Sequence, residues 1–459
     1  MIRTFDAIII GAGQAGPSLA GRLTGVGMSV ALIERNLIGG TCVNTGCTPT
    51  KTLVASAHAA RVARRAAEYG LMIGGPVGVD MKRVKARKDA VVGNSRAGLE
   101  AWLKGMANCA IYKGHAHFEA PNEIRVGDEL LSASRIFINV GGRALVPKMP
   151  GLDDISYLTN ESMLDLDVLP HHLVIIGGSY VGLEFAQMYR RFGSEVTVVE
   201  KGSRLIHRED EDVSAAVKDI LEAEGIHIRL RAECISFARR GADTAVMMDC
   251  ESGDREVIGS HTLLAVGRRP NTDDLGLEKA GVEIDKRGFI VVDDELRTSV
   301  PGVWALGDCN GKGAFTHTAY NDFEVVAANL LDGDCRRVSD RLPAYALYVD
   351  PPLGRAGLTE AEARKSGRRI LIGRRPMSEV ARAVEKGETQ GFIKIVVDAD
   401  SHQILGASIL GVGGDEVVHC ILDIMYAKAP YTTLRRAMHI HPTVSEHVPA
   451  VLSELNLAL

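Results

Sequence analysis

The apolar positions of the chain fall into two copies of one pattern. The run Ala7–Ile10 is short, unbroken and of the buried-strand type. It leads through Gly11-Ala12-Gly13-Gln14-Ala15-Gly16 into a helical stretch and a second apolar run at residues 30–33, closed by Glu34. The pattern returns at residues 173–176, passes through Gly177-Gly178-Ser179-Tyr180-Val181-Gly182 and a helix, and ends in the run 196–199, closed by Glu200. Glu34 follows Gly16, and Glu200 follows Gly182, by the same eighteen positions. Residues 50–68 contain no Gly or Pro and are rich in Ala and Arg, which predicts a helix beginning near Cys47. Residues 80–105 predict another, with Trp102 in the core. From about residue 342 the pattern changes to short alternating strands, such as 392–397 and 404–410, with helices between them and no third glycine turn. The class expected is α/β, with two Rossmann-type dinucleotide-binding domains followed by a C-terminal α+β domain.

Strand, glycine turn, helix, strand and acid together form a dinucleotide-binding fingerprint. The glycines let the backbone approach a pyrophosphate at a helix N-terminus, and the acid accepts hydrogen bonds from a ribose. Two fingerprints imply two nucleotides: a flavin dinucleotide on Gly11, Gly13, Gly16 and Glu34, and a nicotinamide dinucleotide on Gly177, Gly182 and Glu200. In the second copy Ser179 replaces the middle glycine. A carboxylate at Glu200 repels a 2′-phosphate, so NADH is preferred over NADPH, although Lys201 and Arg204 lie close by.

A chain of 459 residues makes two to four domains. The net charge of −5 carries no nucleic-acid footprint, and the arginines between Arg61 and Arg65 read as a solvated helix face. No secretory signal and no apolar run of about 20 residues is present, so a cytoplasmic protein without a membrane span is expected. Eight cysteines are too few for a disulfide scaffold in so long a chain, which makes a close pair catalytic or metal-binding. Cys42 and Cys47 form such a pair within Gly39-Gly40-Thr41-Cys42-Val43-Asn44-Thr45-Gly46-Cys47-Thr48-Pro49-Thr50-Lys51. A thiolate at the start of the helix that follows has a lowered pKa. No Cys/His spacing near His115 and His117 makes a metal site.

This cysteine stretch resembles the redox motif of the FAD-dependent disulfide reductases, the class I pyridine nucleotide-disulfide oxidoreductases. Dihydrolipoyl dehydrogenase, glutathione reductase and mercuric reductase are among them. The resemblance extends over essentially the whole chain, through residues 265–272 and 298–308, to His439-Ile440-His441-Pro442-Thr443-Val444-Ser445-Glu446. It implies a Cys42–Cys47 redox disulfide, with Cys47 facing the flavin and Cys42 attacking the substrate. It implies that His441, oriented by Glu446, moves the proton, and that this dyad comes from the other subunit of a homodimer. Lys51 and Glu184 fall on positions that pair beside the flavin N5, Tyr180 on an aromatic lid, and Asp308 on the residue that holds the ribityl chain. Further FAD contacts are implied at Gly40, Thr41, His115, Ala116, Gly142, Thr316 and His317, and nicotinamide-side contacts at Gly267 and Arg268. The implied domains are 1–150 with 271–341 for FAD, 151–270 for NAD(P), and 342–459 for dimerisation.

The substrate stays open between three classes. Residues 350–357 and Tyr180 look most like the mercuric-reductase-like flavoproteins, including those of the reactive-chlorine response, which act on a disulfide or a thiophilic metal ion or oxidant. The last cysteine is Cys420, so the C-terminal cysteine pair of mercuric reductase itself is missing. The second class is the dihydrolipoyl dehydrogenase component of a 2-oxo-acid dehydrogenase complex, which fits the C-terminal signature and Glu200. The third is a transhydrogenase-type flavin protein with idle cysteines, against which the intact pair and His441 speak. Cys109, Cys234, Cys250, Cys309, Cys335 and Cys420 are expected to be buried or inert.

Overall fold

In the computed structural model, which describes residues 2–249 and 253–457, Ala7–Ile10 is the middle strand of a five-stranded parallel sheet. The strand order is Val303–Ala305, Ile136–Ile138, Ala7–Ile10, Val30–Glu34, Cys109–Lys113. All neighbours run parallel. Every residue of the middle strand is buried, as an unbroken apolar run requires in a sheet covered on both faces. The chain leaves this sheet after Ile138 and returns to its edge only at Val303.

The second copy forms a four-stranded parallel sheet in the order His227–Arg229, Glu195–Val199, His172–Ile176, His261–Leu264. Between the two sheets, the outgoing Gly142–Ala144 pairs antiparallel with the returning Arg268–Pro270. Each glycine turn is built to the same tolerance. Gly11 and Gly177 have φ of 106° and 114°, in the left-handed region that a side chain disfavours. A Cβ on Gly16 would lie 2.2 Å from the Gly11 carbonyl oxygen, and one on Gly182 would lie 2.1 Å from that of Gly177. The helices Ala15–Gly25 and Tyr180–Phe192 therefore start as close to the preceding strand as backbone permits.

Six antiparallel strands make the C-terminal sheet, with Leu353–Gly357, Ile404–Leu410 and Phe392–Asp398 consecutive in its interior. Alternation was the expectation for the last two, yet every residue of both is buried. The helix Gly414–Tyr426 packs against the sheet, and the segment around Asp210 meets it through Lys394. Lys394, 2% exposed, is held there by Asp212 at 2.7 Å, Asp210 at 3.0 Å and Glu360 at 3.1 Å.

Other expectations need correction. The helix expected to begin near Cys47 does begin there, but it ends at Arg64 and gives way to a 3₁₀ turn at Ala66–Tyr69 instead of running on to residue 68. Arg61 and Arg65 do not form a solvated face: Arg61 lies 3.4 Å from Glu224 and 3.6 Å from Asp350, and Arg65 bonds Glu68 and the Gly387 carbonyl. Trp102 is 48% exposed, since its turn of the helix Met81–Lys104 overhangs Gly21 at the protein surface. Of the remaining cysteines, Cys309 is buried and Cys109 and Cys420 are partly buried, but Cys234 and Cys335 are exposed. Cys250 lies outside the described residues. Among the described residues, no helix is long and apolar enough to cross a membrane.

Candidate active site

The short helix Gly40–Asn44 carries Cys42, and the helix Cys47–Arg64 begins with Cys47. Gly46 joins them so tightly that a Cβ there would sit 2.7 Å from the Thr41 carbonyl oxygen. The Asn44 amide donates to the Ile38 and Gly40 carbonyls at 3.0 Å each and holds the turn. Both cysteines are thiols here, and they hydrogen-bond one another. That bond, the Thr316 hydroxyl at 3.2 Å and the charge of Lys51 bring the Cys47 thiol down to about 6. The helix N-terminus acts in the same direction. Cys42 is pushed up, because it is the donor in the pair and is partly buried. One sulfur is thus tuned to be an anion at neutral pH, and the other is its proton-bearing neighbour.

Lys51 lies one helical turn beyond Cys47 and reaches Glu184 of the helix Tyr180–Phe192, at 2.8 Å. Glu184 is buried, and its other oxygen accepts the Tyr348 backbone N–H at 3.0 Å. The Lys51 ammonium stands 4.5 Å from the centre of the Tyr348 ring. A fixed positive charge therefore faces the space beside the dithiol.

That space is a cleft of about 1330 Å³, larger than the roughly 300–1,000 Å³ of an ordinary small-molecule site. Gly11, Gly13 and Glu34 line one end, with Gly40, Thr41, His115 and Ala116 near them. Cys42, Cys47, Lys51, Gly142, Thr316 and His317 line its course, with Asp308 and Arg268, and Tyr180 and Glu184 border it too. The first glycine turn at the wall of so large a cleft suits FAD. Two observations near Asp308 sharpen the fit: burial raises its carboxyl, and the buried Nε of Arg268, 3.8 Å away, has no hydrogen-bond partner among the described residues. A bound polyol chain would satisfy both. His317, whose imidazole desolvation shifts below its ordinary value, points Nε2 at the Ala344 carbonyl at 2.7 Å and presents its ring to Phe315.

Glu34 and Glu200 have a geometry that sequence alone did not indicate. The oxygens of Glu34 accept the backbone N–H groups of Ala12 and Asn36, both at 2.8 Å. Those of Glu200 accept from Gly178 and Gly202, both at 2.6 Å. Each acid ties its own glycine turn to the following loop, with lone pairs left for a ribose.

Other expected residues lie off the cleft. Gly16, Gly177, Gly182, Glu200 and Gly267 do not line it. Neither do His441 and Glu446, although they meet each other at 2.9 Å through His441 Nδ1. His441 is 75% exposed on its side chain and is not brought to Cys42 within the chain. One cleft aromatic, Phe315, and two residues behind it, Tyr345 and Glu209, were not singled out from sequence. Phe315 and Tyr345 stack at 5.3 Å, and Tyr345 meets Tyr180 edge-on at 5.5 Å. Glu209 accepts from both tyrosine hydroxyls. Glu209 is hidden in the charged run 207–212, which looks like solvated surface, and no periodic signal marks it.

Comparison with known proteins agrees with this geometry. Residues 5–322 match the family model described as pyridine nucleotide-disulphide oxidoreductase, and residues 343–451 match the dimerisation domain of the same name. The probable pyridine nucleotide-disulfide oxidoreductase RclA of Escherichia coli K12 is 35% identical, over 98% of this chain and 99% of its own. The dihydrolipoyl dehydrogenase of Thermus scotoductus is 34% identical over 97% and 96% of the two chains. The mercuric reductase of Streptomyces lividans is also 34% identical, over 96% and 94%. Among solved structures, the Cu(II) complex of the HOCl-induced flavoprotein disulfide reductase RclA from E. coli superposes with a TM-score of 0.90 at 34% identity. It covers 98% of this chain and 99% of that one.

Proposed function

The chain belongs to the pyridine nucleotide-disulphide oxidoreductases, and we propose that within this family it carries electrons from NADH through FAD to the Cys42/Cys47 pair and on to a thiophilic metal ion or disulfide. It is a flavoprotein disulfide reductase by family, and FAD and a nicotinamide dinucleotide belong to that family's chemistry. In our reading, residues 1–150 with 271–341 hold FAD, 151–270 hold the nicotinamide nucleotide, and 342–459 pair two copies into a homodimer.

The observation that carries the proposal is the dithiol at the cleft wall, with a low-pKa Cys47 opening a helix and Lys51 one turn along it. When bound, FAD supplies a two-electron relay between nicotinamide and sulfur. Cys47 holds a thiolate at neutral pH and so needs no proton removed. Lys51, fixed by Glu184, places a positive charge where negative charge develops. Cys42 keeps its proton until a base takes it. His441 suits that role: Glu446 occupies Nδ1, which leaves Nε2 to accept the proton. His441 lies outside its own chain's cleft, which favours delivery from a second copy. Glu200 favours NADH, because its two oxygens already face backbone N–H groups and a 2′-phosphate would meet its charge.

One NADH carries two electrons. It reduces two Cu(II) to Cu(I), releasing NAD⁺ and a proton, or with a proton it cleaves one disulfide to two thiols. Likeness to a protein solved with Cu(II) favours the metal ion as acceptor. The His441–Glu446 dyad favours a disulfide as the second reading, since an attacking thiol needs a proton acceptor and a leaving thiolate needs a donor. The test is steady-state NADH oxidation with Cu(II), Hg(II) or lipoamide, in wild type and Cys42→Ser. Metal reduction that needs Cys42, with negligible lipoamide turnover, is the expected result. Rapid lipoamide turnover lost in Cys42→Ser would make the chain a dihydrolipoyl dehydrogenase. Activity indifferent to Cys42→Ser with every acceptor would sink both readings.

A further inference from the structure

The Lys51–Glu184 pair is a dipole, so its effect on Cys47 depends on which end faces the sulfur. The two charges oppose each other there: the Lys51 ammonium lowers the Cys47 thiol, the Glu184 carboxylate raises it, and the ammonium acts more strongly. Cys42 and the Thr316 hydroxyl act on the same sulfur. Glu184 is buried, whereas the Lys51 side chain is 33% exposed and has a flexible stem that could carry its charge toward water. The positive end of the pair needs a second anchor to stay inward.

Tyr348, which follows the strand Ala344–Leu347, meets both partners. Its backbone N–H donates to Glu184 Oε1 at 3.0 Å, which leaves Oε2 for Lys51 at 2.8 Å. Its ring receives the same ammonium 4.5 Å from the centroid, within the range of a cation–π contact. The helix that carries Glu184 also fixes the backbone beyond Tyr348. Gln187 accepts the Asp350 N–H at 2.7 Å and donates to the Asp350 carbonyl at 2.8 Å, and Arg191 donates to that carbonyl at 3.0 Å. From the helix that Cys47 opens, His58 meets the Asp350 carboxylate at 2.8 Å. Burial, with Asp415, Glu184, Cys47 and Glu416, raises the Tyr348 phenol, so the ring stays neutral and its face keeps the electron density that attracts a cation.

We propose that Tyr348 is a positioning residue, whose ring seats the Lys51 ammonium and keeps the positive end of the Lys51–Glu184 pair toward Cys47. This rests on the reading of Cys47 as the thiolate of the dithiol. Tyr348 acts through Lys51, not on the sulfur. Without the ring, the ammonium keeps one anchor and spends part of its time in solvent, and the buried carboxylate then weighs more heavily on Cys47.

The test is the pH dependence of Cys47 alkylation by iodoacetamide in the reduced flavoprotein, followed by mass spectrometry. Tyr348→Leu removes the ring and keeps the backbone N–H. It is expected to raise the Cys47 midpoint by about half a pH unit or more, which is about a three-fold smaller thiolate fraction below the midpoint. Tyr348→Phe keeps the ring and should leave the midpoint within about 0.2 unit. Para-cyanophenylalanine in place of Tyr348 keeps the shape but drains the ring face, should raise the midpoint too, and decides if Tyr348→Leu fails to fold. In a Lys51→Met background, Tyr348→Leu should add no further shift, and a further shift there would overturn the proposal. So would a lowered wild-type midpoint that stays in place when the ring is removed or drained, or one that rises as far in Tyr348→Phe. A wild-type midpoint near that of a free thiol overturns the reading of Cys47 instead.

Discussion

Cys47 concentrates the chemistry of single residues. Its thiol is lowered by the Cys42 hydrogen bond, the Thr316 hydroxyl and Lys51, of which only Thr316 lies far away in the sequence. Because the folded value is depressed to about 6, the thiolate is present above that pH and is lost as pH falls through it. Alkylation of the reduced protein by iodoacetamide, followed site by site with mass spectrometry, should show Cys47 reaching half its plateau rate near pH 6. Thr316→Val, which deletes the contact at 3.2 Å, should move that midpoint to higher pH. A midpoint near that of a free thiol, about 8.5, in the wild type would refute the tuned thiolate. The pair itself was legible from spacing and neighbours. So was the charge on Cys47 at the start of its helix; the help it receives from Thr316 was not, because Thr316 stands far along the chain and reaches Cys47 only through the fold.

At the scale of elements, the proposed assignment of one nucleotide to each glycine turn makes the two turns separable by experiment. A methyl group on Gly16 or Gly182 collides with carbonyl oxygen rather than with a side chain that can give way. Forced overpacking of this kind costs about 1–3 kcal/mol, and it moves the helix that shapes the turn. Gly16→Ala should purify with flavin content well below one per chain. Gly182→Ala should keep its flavin but bind NAD⁺ about ten-fold more weakly or worse. Full flavin in the first variant, or unaltered NAD⁺ binding in the second, would contradict the assignment of one nucleotide to each turn. Strand, turn, helix and acid were all readable as local pattern. The burial of both C-terminal strands was not: Lys394 reads as an outward position, and only its three acidic partners from other segments allow it inside.

For the whole molecule, the issue is whether one chain makes a complete site. Cys42 lines the cleft, whereas His441 and Glu446 lie outside it, and residues 343–451 match a dimerisation domain. Mixing Cys42→Ser with His441→Gln chains, each nearly inactive alone, should restore roughly a quarter of wild-type activity, since half of randomly formed two-fold dimers then hold one intact site. No recovery after exchange of subunits would show that the dyad acts within its own chain or not at all.

What the sequence determined by itself was everything that short-range pattern encodes. Two glycine fingerprints with their acids, the cysteine pair and the C-terminal His/Glu signature each occupy a few adjacent positions, and backbone sterics and helix geometry translate them directly. The tertiary structure alone decided which distant groups meet. It brought Thr316 to Cys47, Arg268 to Asp308, and Glu209 to the hydroxyls of Tyr180 and Tyr345. The physical reason is that charge, burial and hydrogen bonding act through space over a few ångströms, between residues separated by up to 269 positions of chain.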